Sequence, residues 1–311
     1  MSFSSDVKEE LVRRTSEGRH CRLAELAALT SYAAAVGTDD NTTYITYSSD
    51  NIYVIKKAVI LIKALFHYDI RLDTANIGKR GTKHRYRAQL RGGEEVDSLL
   101  MAIKSDKTFE KGAAINGLLL QKSCCKRAFL RGTFLAAGSV NNPEKSYHFE
   151  ILCTDQKAAN QLVKIAADFD IDMRIARRKD KPLCYIKEAD KISQILGVME
   201  AHSALMKIEN VQILKDVKNN VNRQVNCETA NINKTVNAAI KQLKDIEYIK
   251  DNLGMDILSP SLREIAQLRL ENPQSSLVEL GNMLDPPVGK SGVNHRFRKI
   301  AQIAENGLKN S

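Results

Sequence analysis

Near the end of the chain, between Asp285 and Glu305, lie four lysines or arginines and no acid. Val293, Phe297, Ile300 and Ala304 recur there at spacings of 4, 3 and 4, which is one apolar face of an α-helix. The remaining face carries Ser291, Asn294, His295, Arg296, Arg298 and Lys299. Arginine can hold guanine, and asparagine adenine, through paired hydrogen bonds to base edges in the major groove. Asn294 and Arg296 fall within the first two turns, where base edges come into reach. Arg298 and Lys299 lie further along and are suited to phosphates. Asp285-Pro-Pro-Val-Gly-Lys290 breaks the chain just before this helix, because two prolines cannot continue a preceding one. Helix, break and basic helix is the arrangement of a helix-turn-helix. A solvated basic face on a small three-helix cap would use the same residues.

A second group of cations sits in two separated hairpins. Residues 71–91 include Arg71, Lys79, Arg80, Lys83, Arg85, Arg87 and Arg91 against the single Asp73. The segment from Arg174 onward carries Arg177, Arg178, Lys179 and Lys181. Two basic hairpins at equivalent places would form one saddle able to hold phosphates on both sides of a duplex.

These hairpins close the two copies of an internal repeat. Shifting the chain by 101 residues places Ala24 on Cys125, Ala27 on Ala128, Ser31 on Gly132, Ala35 on Ala136 and Gly37 on Gly138. Ala24, Ala27, Ser31 and Ala35 are spaced 3, 4 and 4, so each copy presents a helix face of small residues. A short alternating strand follows in each, Tyr44 to Tyr47 and His148 to Leu152. A helix then starts at Ser49-Asp50 or Thr154-Asp155 and ends near Phe66 or Phe169. The expected architecture is α+β: duplicated α/β units over about 20–110 and 121–205, within a domain spanning 1–210. Residues 211–254 read as a linker with one helix, whose Asn-rich first half would equally suit a loop. Residues 255–311 read as an all-α helix-turn-helix domain with its core at 275–308. Its earlier helices are marked by capping boxes at Ser261–Glu264 and Ser276–Glu279.

The third group is an absence. RAFLRGTFLAAGSV looks like the LAGLIDADG motif of homing endonucleases, in which an acid before the final glycine binds the divalent metal that activates water. Here the matching positions are Val36 and Ala137, so no catalytic residue is expected. Asp39 and Asp40 have no counterpart in the second copy, which offers Val140 and Asn141. Together with LRLENPQSSLVELGNMLDPPVGKSGVNHRFRKI, these degenerate motifs resemble the WhiA family of bacterial transcriptional regulators over essentially the whole chain. The resemblance implies an endonuclease-derived scaffold joined to a helix-turn-helix similar to the promoter-reading domain of sigma factors. It also implies roles in sporulation, cell division and chromosome segregation.

Composition agrees with such a reading. The 311 residues carry a net charge of +10, which favours a polyanionic partner. The six cysteines include no CxxC pair, so neither zinc nor any other metal or cofactor is expected, and reduced thiols suit a cytosol. The N-terminus is a charged helix capped near Ser5 or Asp6, without the apolar core of a signal peptide. The apolar run Ala58–Ile62 is closed by Lys63, too short for a membrane span. The expectation is therefore a cytoplasmic, nucleoid-associated regulator binding double-stranded DNA sequence-specifically, with a second transcription regulator as a further partner. The alternatives are a metal-dependent endonuclease and an RNA-binding protein.

Overall fold

A computed structural model describes residues 2–39, 42–70, 72–77, 83–105 and 114–309. The chain divides into two compact units, Met1–Lys215 and Asp216–Ser311.

The N-terminal unit opens with α1 (Phe3–Arg13), capped by the Ser2 side chain rather than by Ser5 or Asp6. Helix α2 (Arg19–Ala33) leads directly into strand β1 (Ala34–Asp39) and then β2 (Thr42–Ser49). Helix α3 (Ile52–Phe66) follows, with Asn51 as its cap, then β3 (Leu72–Ile77), β4 (Lys83–Arg91) and α4 (Gly93–Ala102). The second copy repeats this order. It has α5 (Ser123–Ala137), β5 (Gly138–Val140), β6 (Phe149–Leu152), α6 (Gln156–Ala167), β7 (Arg174–Arg178), β8 (Lys181–Ile186) and α7 (Ala189–Val198). Both sheets are antiparallel, ordered β1-β2-β4-β3 and β5-β6-β8-β7. The duplication read from spacing is thus a duplication of topology.

The two copies meet where α2 packs on α5. Small residues let the backbones approach: Ala24, Ala27, Ala28, Ser31, Cys125, Ala128 and Gly132 are all buried. A Cβ at Gly132 would lie 2.6 Å from the Glu25 carbonyl oxygen and 2.9 Å from the Ala28 Cβ, so only glycine fits. Ala35, expected on the helical face, instead lies in β1 and is exposed. The helix ends at Ala33 because the backbone there turns into the strand that pairs with β2.

Charge crosses this seam. Glu25 on α2 receives Arg131 of α5 through both oxygens, at 2.9 and 3.2 Å, with Glu25 and Arg131 essentially without solvent contact. The equally buried Lys57 of α3 reaches Glu25 at 3.1 Å and donates to the carbonyls of Leu11 and Arg14. All three ammonium protons therefore have acceptors. The third Arg131 nitrogen, Nη1, reaches Glu200 at 3.1 Å, and Nη2 also donates to the Ser16 hydroxyl at 2.7 Å. Burial lowers the Lys57 ammonium from its ordinary value, against the opposing pull of Glu25.

Helix α8 (His202–Tyr248) runs across the boundary between the units. Its Asn-rich stretch is helical rather than a loop. In the C-terminal unit, α9 (Pro260–Glu271), α10 (Leu277–Asn282) and α11 (Lys290–Lys309) close on a core of Ile246, Leu262, Ile265, Leu280, Val293, Phe297 and Ile300, among others. Helix α9 begins at Pro260, with Ser259 rather than Ser261 at the cap position. The capping box at Ser276 and Glu279 is formed in both directions. Buried Arg269 donates to the Ser275 carbonyl at 2.6 Å and to Gln242 at 3.1 Å, its guanidinium 5.4 Å from the Phe297 ring centroid. It ties the turn before α10 to α8 and α11.

The seam makes two substitutions informative. Glu25→Gln leaves buried Lys57 without a carboxylate and Arg131 with Glu200 alone, and should cost roughly 3–5 kcal/mol. Gly132→Leu overpacks the same contact and should cost on the order of 1–3 kcal/mol or more. Equilibrium urea unfolding measures both. Stabilities of both variants equal to that of the unmodified chain would mean that α2 and α5 do not meet as described.

Candidate nucleic-acid interface

Between α10 and α11 the chain reverses over residues 283–289. The Val288 amide returns to the Gly281 carbonyl at 2.9 Å, and a Cβ on Gly281 would sit 2.0 Å from the Val288 oxygen. The turn is therefore locked onto the last turn of α10, which fixes where α11 starts. Val293, Phe297, Ile300 and Ala304 are buried, as their spacing predicts. Ser291, His295, Arg298 and Lys299 are exposed, and Asn294 is half-buried. Arg296 is the exception to the expected outward face. It is only 24% exposed, donates to the Ser261 carbonyl at 3.3 Å and lies 3.9 Å from Glu264, so it turns back onto α9. Among the described residues, no hydrogen bond or ion pair holds His295, Arg298 or Lys299. Of the residues expected on the outer face, Ser291, His295, Arg298 and Lys299 are thus the exposed ones, spread over about two turns.

On the first sheet, alternation sends Ala88 and Leu90 of β4 into the core and Arg85, Arg87, Gln89 and Arg91 to the other face. Arg87 stands opposite Ser48 of β2 and Asp73 of β3, and is exposed. Arg85 is half-buried beside it. Arg91 pairs with Asp39 at 2.7 Å, and Gln89 donates to Thr46 at 3.1 Å. Lys79 and Arg80 lie outside the described residues, as do Arg71 and Asp40, and only the backbone of Lys83 is described.

The second sheet differs in its charge balance. Arg178 makes a two-pronged pair with Glu150 of β6, at 2.8 and 2.6 Å, and Arg174 pairs with Glu188 at 3.3 Å. Burial alone would raise the Glu150 carboxyl. The hydrogen bonds from Arg178, His148 and Ser139 outweigh it and hold the group below its ordinary value. Lys179 and Asp180, both at positive φ, form the two-residue turn, and Lys181 opens the return strand beside Arg178. Lys179, Lys181 and Arg177 are exposed, with Arg177 on the opposite side of β7 from Arg178. The two hairpins are equivalent in topology, and among the described residues Arg174 and Arg178 of the second are already paired with acids.

Neither position matched to the motif's acids offers a metal ligand. Val36 is half-buried in β1 and packs on the core, as does Ala137 at the end of α5. Asp39 is held by Arg91. The first turns of α2 and α5 hold a different group: His20, Cys21, Cys124 and Cys125 bring their ligand atoms within 4.8 Å of one another. Spacing rules looked for cysteine pairs within one loop, so this group was missed. Burial pushes the Cys21 and Cys125 thiols up, whereas a hydrogen bond with Cys21 draws the exposed Cys124 thiol down.

The sequence model of the WhiA C-terminal HTH domain matches residues 221–304, and that of the WhiA LAGLIDADG-like domain matches residues 55–116 and 126–218. A "Probable cell division protein WhiA" of Lachnoclostridium phytofermentans is 46% identical over 98% of this chain and 99% of its own. The chain belongs to the WhiA family. A second relative of that printed name, from Lachnospira eligens, is 42% identical over 98% of this chain and 97% of its own. The crystal structure of full-length DUF199/WhiA from Thermatoga maritima superposes with a TM-score of 0.60 at 26% identity, covering 98% of this chain and 99% of that one. WhiA membership accounts for both units, the duplicated sheets and the helix-turn-helix. Among the described residues no helix is long and apolar enough to cross a membrane.

In this WhiA chain the α10–α11 geometry depends on Gly281. Gly281→Ala should cost about 1–3 kcal/mol, because the opposing atom is a backbone oxygen that cannot swing away. Hydrogen exchange should then quicken across α10 and α11 while α2 and α5 keep their protection. Unchanged exchange in α11 would show that the turn does not lock the helix.

Proposed function

We propose that this chain is a sequence-specific double-stranded DNA-binding regulator that uses α11 to read bases and the LAGLIDADG-like unit as a non-catalytic, backbone-binding scaffold. One observation carries the reading. Ser291, His295, Arg298 and Lys299 share the solvent face of the second helix of a helix-turn-helix, and among the described residues His295, Arg298 and Lys299 have no protein partner. With Arg296 engaged on α9, base reading falls to His295 and to Arg298, the exposed arginine of this face, which spacing alone assigns to phosphates, with Asn294 and Ser291 beside them. Exposed Arg87, Arg177, Lys179 and Lys181 are suited to phosphates. Arg178 contributes less, since Glu150 already neutralises it.

Against cleavage stand Val36 and Ala137, neither of which can bind a metal. Against recognition of unpaired RNA stands a chain with no Trp and 5% aromatic residues, a poor supply of stacking platforms. The names of the relatives support a role in cell division. Chromosome segregation and sporulation, implied by the family resemblance, would be its wider setting. Such a protein would act in the cytoplasm on the nucleoid, with a second transcription regulator as its protein partner.

The test begins with DNA that co-purifies with the protein, from which a preferred duplex is taken. Salt titrations on that duplex and on a scrambled one then separate the two surfaces. Arg298→Ala should cost roughly 1–3 kcal/mol on the preferred duplex and little on the scrambled one. Arg87→Ala should weaken both alike and reduce the salt slope by about 1. Neither duplex should be cut with magnesium or manganese. Loss of site preference in Arg87→Ala but not in Arg298→Ala would make the sheets the readers, and metal-dependent cleavage abolished by Asp39→Ala would restore the enzyme.

A further inference from the structure

We propose that His20, Cys21, Cys124 and Cys125 form a Cys3His site for a zinc ion that fastens together the first turns of α2 and α5. The four residues are the second and third of each helix, so the two dipeptides occupy equivalent places on either side of the seam. The His20 Nδ1 lies 3.2 Å from the Cys125 sulfur, 3.2 Å from that of Cys21 and 4.0 Å from that of Cys124. A tetrahedral ion with Zn–S near 2.3 Å and Zn–N near 2.0–2.1 Å has ligand-to-ligand edges of about 3.5–3.8 Å. The observed separations straddle that range, so small side-chain rotations would complete the tetrahedron. Three sulfurs and one imidazole are also the donor set of closed, structural zinc sites.

Position adds two further arguments. Each helix N-terminus carries partial positive charge, which favours the thiolates that zinc requires. Three thiolates, a neutral imidazole and a divalent ion leave one net negative charge, and Arg127 lines the same cleft of about 400 Å³. Cys21 and Cys125 are buried beside Ala24 and Ala128, whereas His20 and Cys124 are exposed. The core thus supplies two ligands and the rim two, which leaves the ion an entry path. Pairing of thiols into a disulfide would use two sulfurs and leave the third, with the imidazole, unexplained.

The test uses the full chain, purified in reductant without a metal-affinity tag, stripped with a chelator and titrated with cobalt(II) alone. The reduced protein should take up one equivalent, with sulfur-to-cobalt charge-transfer bands and the strong visible bands of tetrahedral cobalt. Zinc should bleach them, and should raise the melting temperature by mass action on the folded state. Cys124→Ser and His20→Ala alter exposed side chains, so circular dichroism should remain native while both the bands and the zinc-dependent melting shift are lost. Cys227→Ser, on α8, should retain both. Absence of cobalt–sulfur bands in the reduced, unmodified chain would overturn the site, as would bands that survive in both cluster variants.

Discussion

The close approach of α2 to α5 is the constraint on which the N-terminal unit depends. A glycine at 132 and a ladder of alanines bring the backbones together, and this proximity puts Arg131 within two-pronged reach of Glu25. Buried ion pairs are weak contributors to net stability, since desolvation offsets most of their attraction. Their effect on register is larger. A slip of one residue along either helix would part the buried Glu25 from Arg131. Lys57 and Ser16 extend the same network to α3 and the loop after α1, so a single arrangement satisfies several elements at once. Each sheet then hangs from the end of its helix, β1 from α2 and β5 from α5.

That constraint bears on function through what stands just beyond α2 and at the end of α5. Val36 of β1 and Ala137, the positions matched to the acids of the LAGLIDADG motif, pack on the core. The scaffold keeps its sheets, and with them Arg85 and Arg87 on a solvent face. In the proposed division of labour, reading of sequence falls to the second unit. There Gly281 and Arg269 fix the turn and the helix that follows it, leaving the outer face of α11 free of structural duties.

How much of this was legible depended on whether the signal was local. The small-residue repeat predicted the α2–α5 seam because helix packing writes itself at fixed spacing, and the 4, 3, 4 stripe on α11 fixed its buried face. Strands β1 and β5 were not legible: each is a direct continuation of a helix, with no turn residue between, so Ala35 read as helical. Arg296 was misplaced because spacing gives a face but not the reach of a long side chain, which here bends back to Ser261 and Glu264. Lys57 hid beside an apolar run, and its partners lie on two other helices. The His20–Cys125 cluster was invisible for the same reason, its halves being more than a hundred residues apart.

The central claim is that sequence preference resides on α11 and general affinity on the sheets. Selection from a pool of randomised duplexes, with the bound fraction sequenced, measures this most directly. The unmodified chain should enrich one motif, and a His295→Ala/Arg298→Ala double variant should still retain DNA while its enriched pool becomes flat. The same motif recovered undiminished by that double variant would contradict the account.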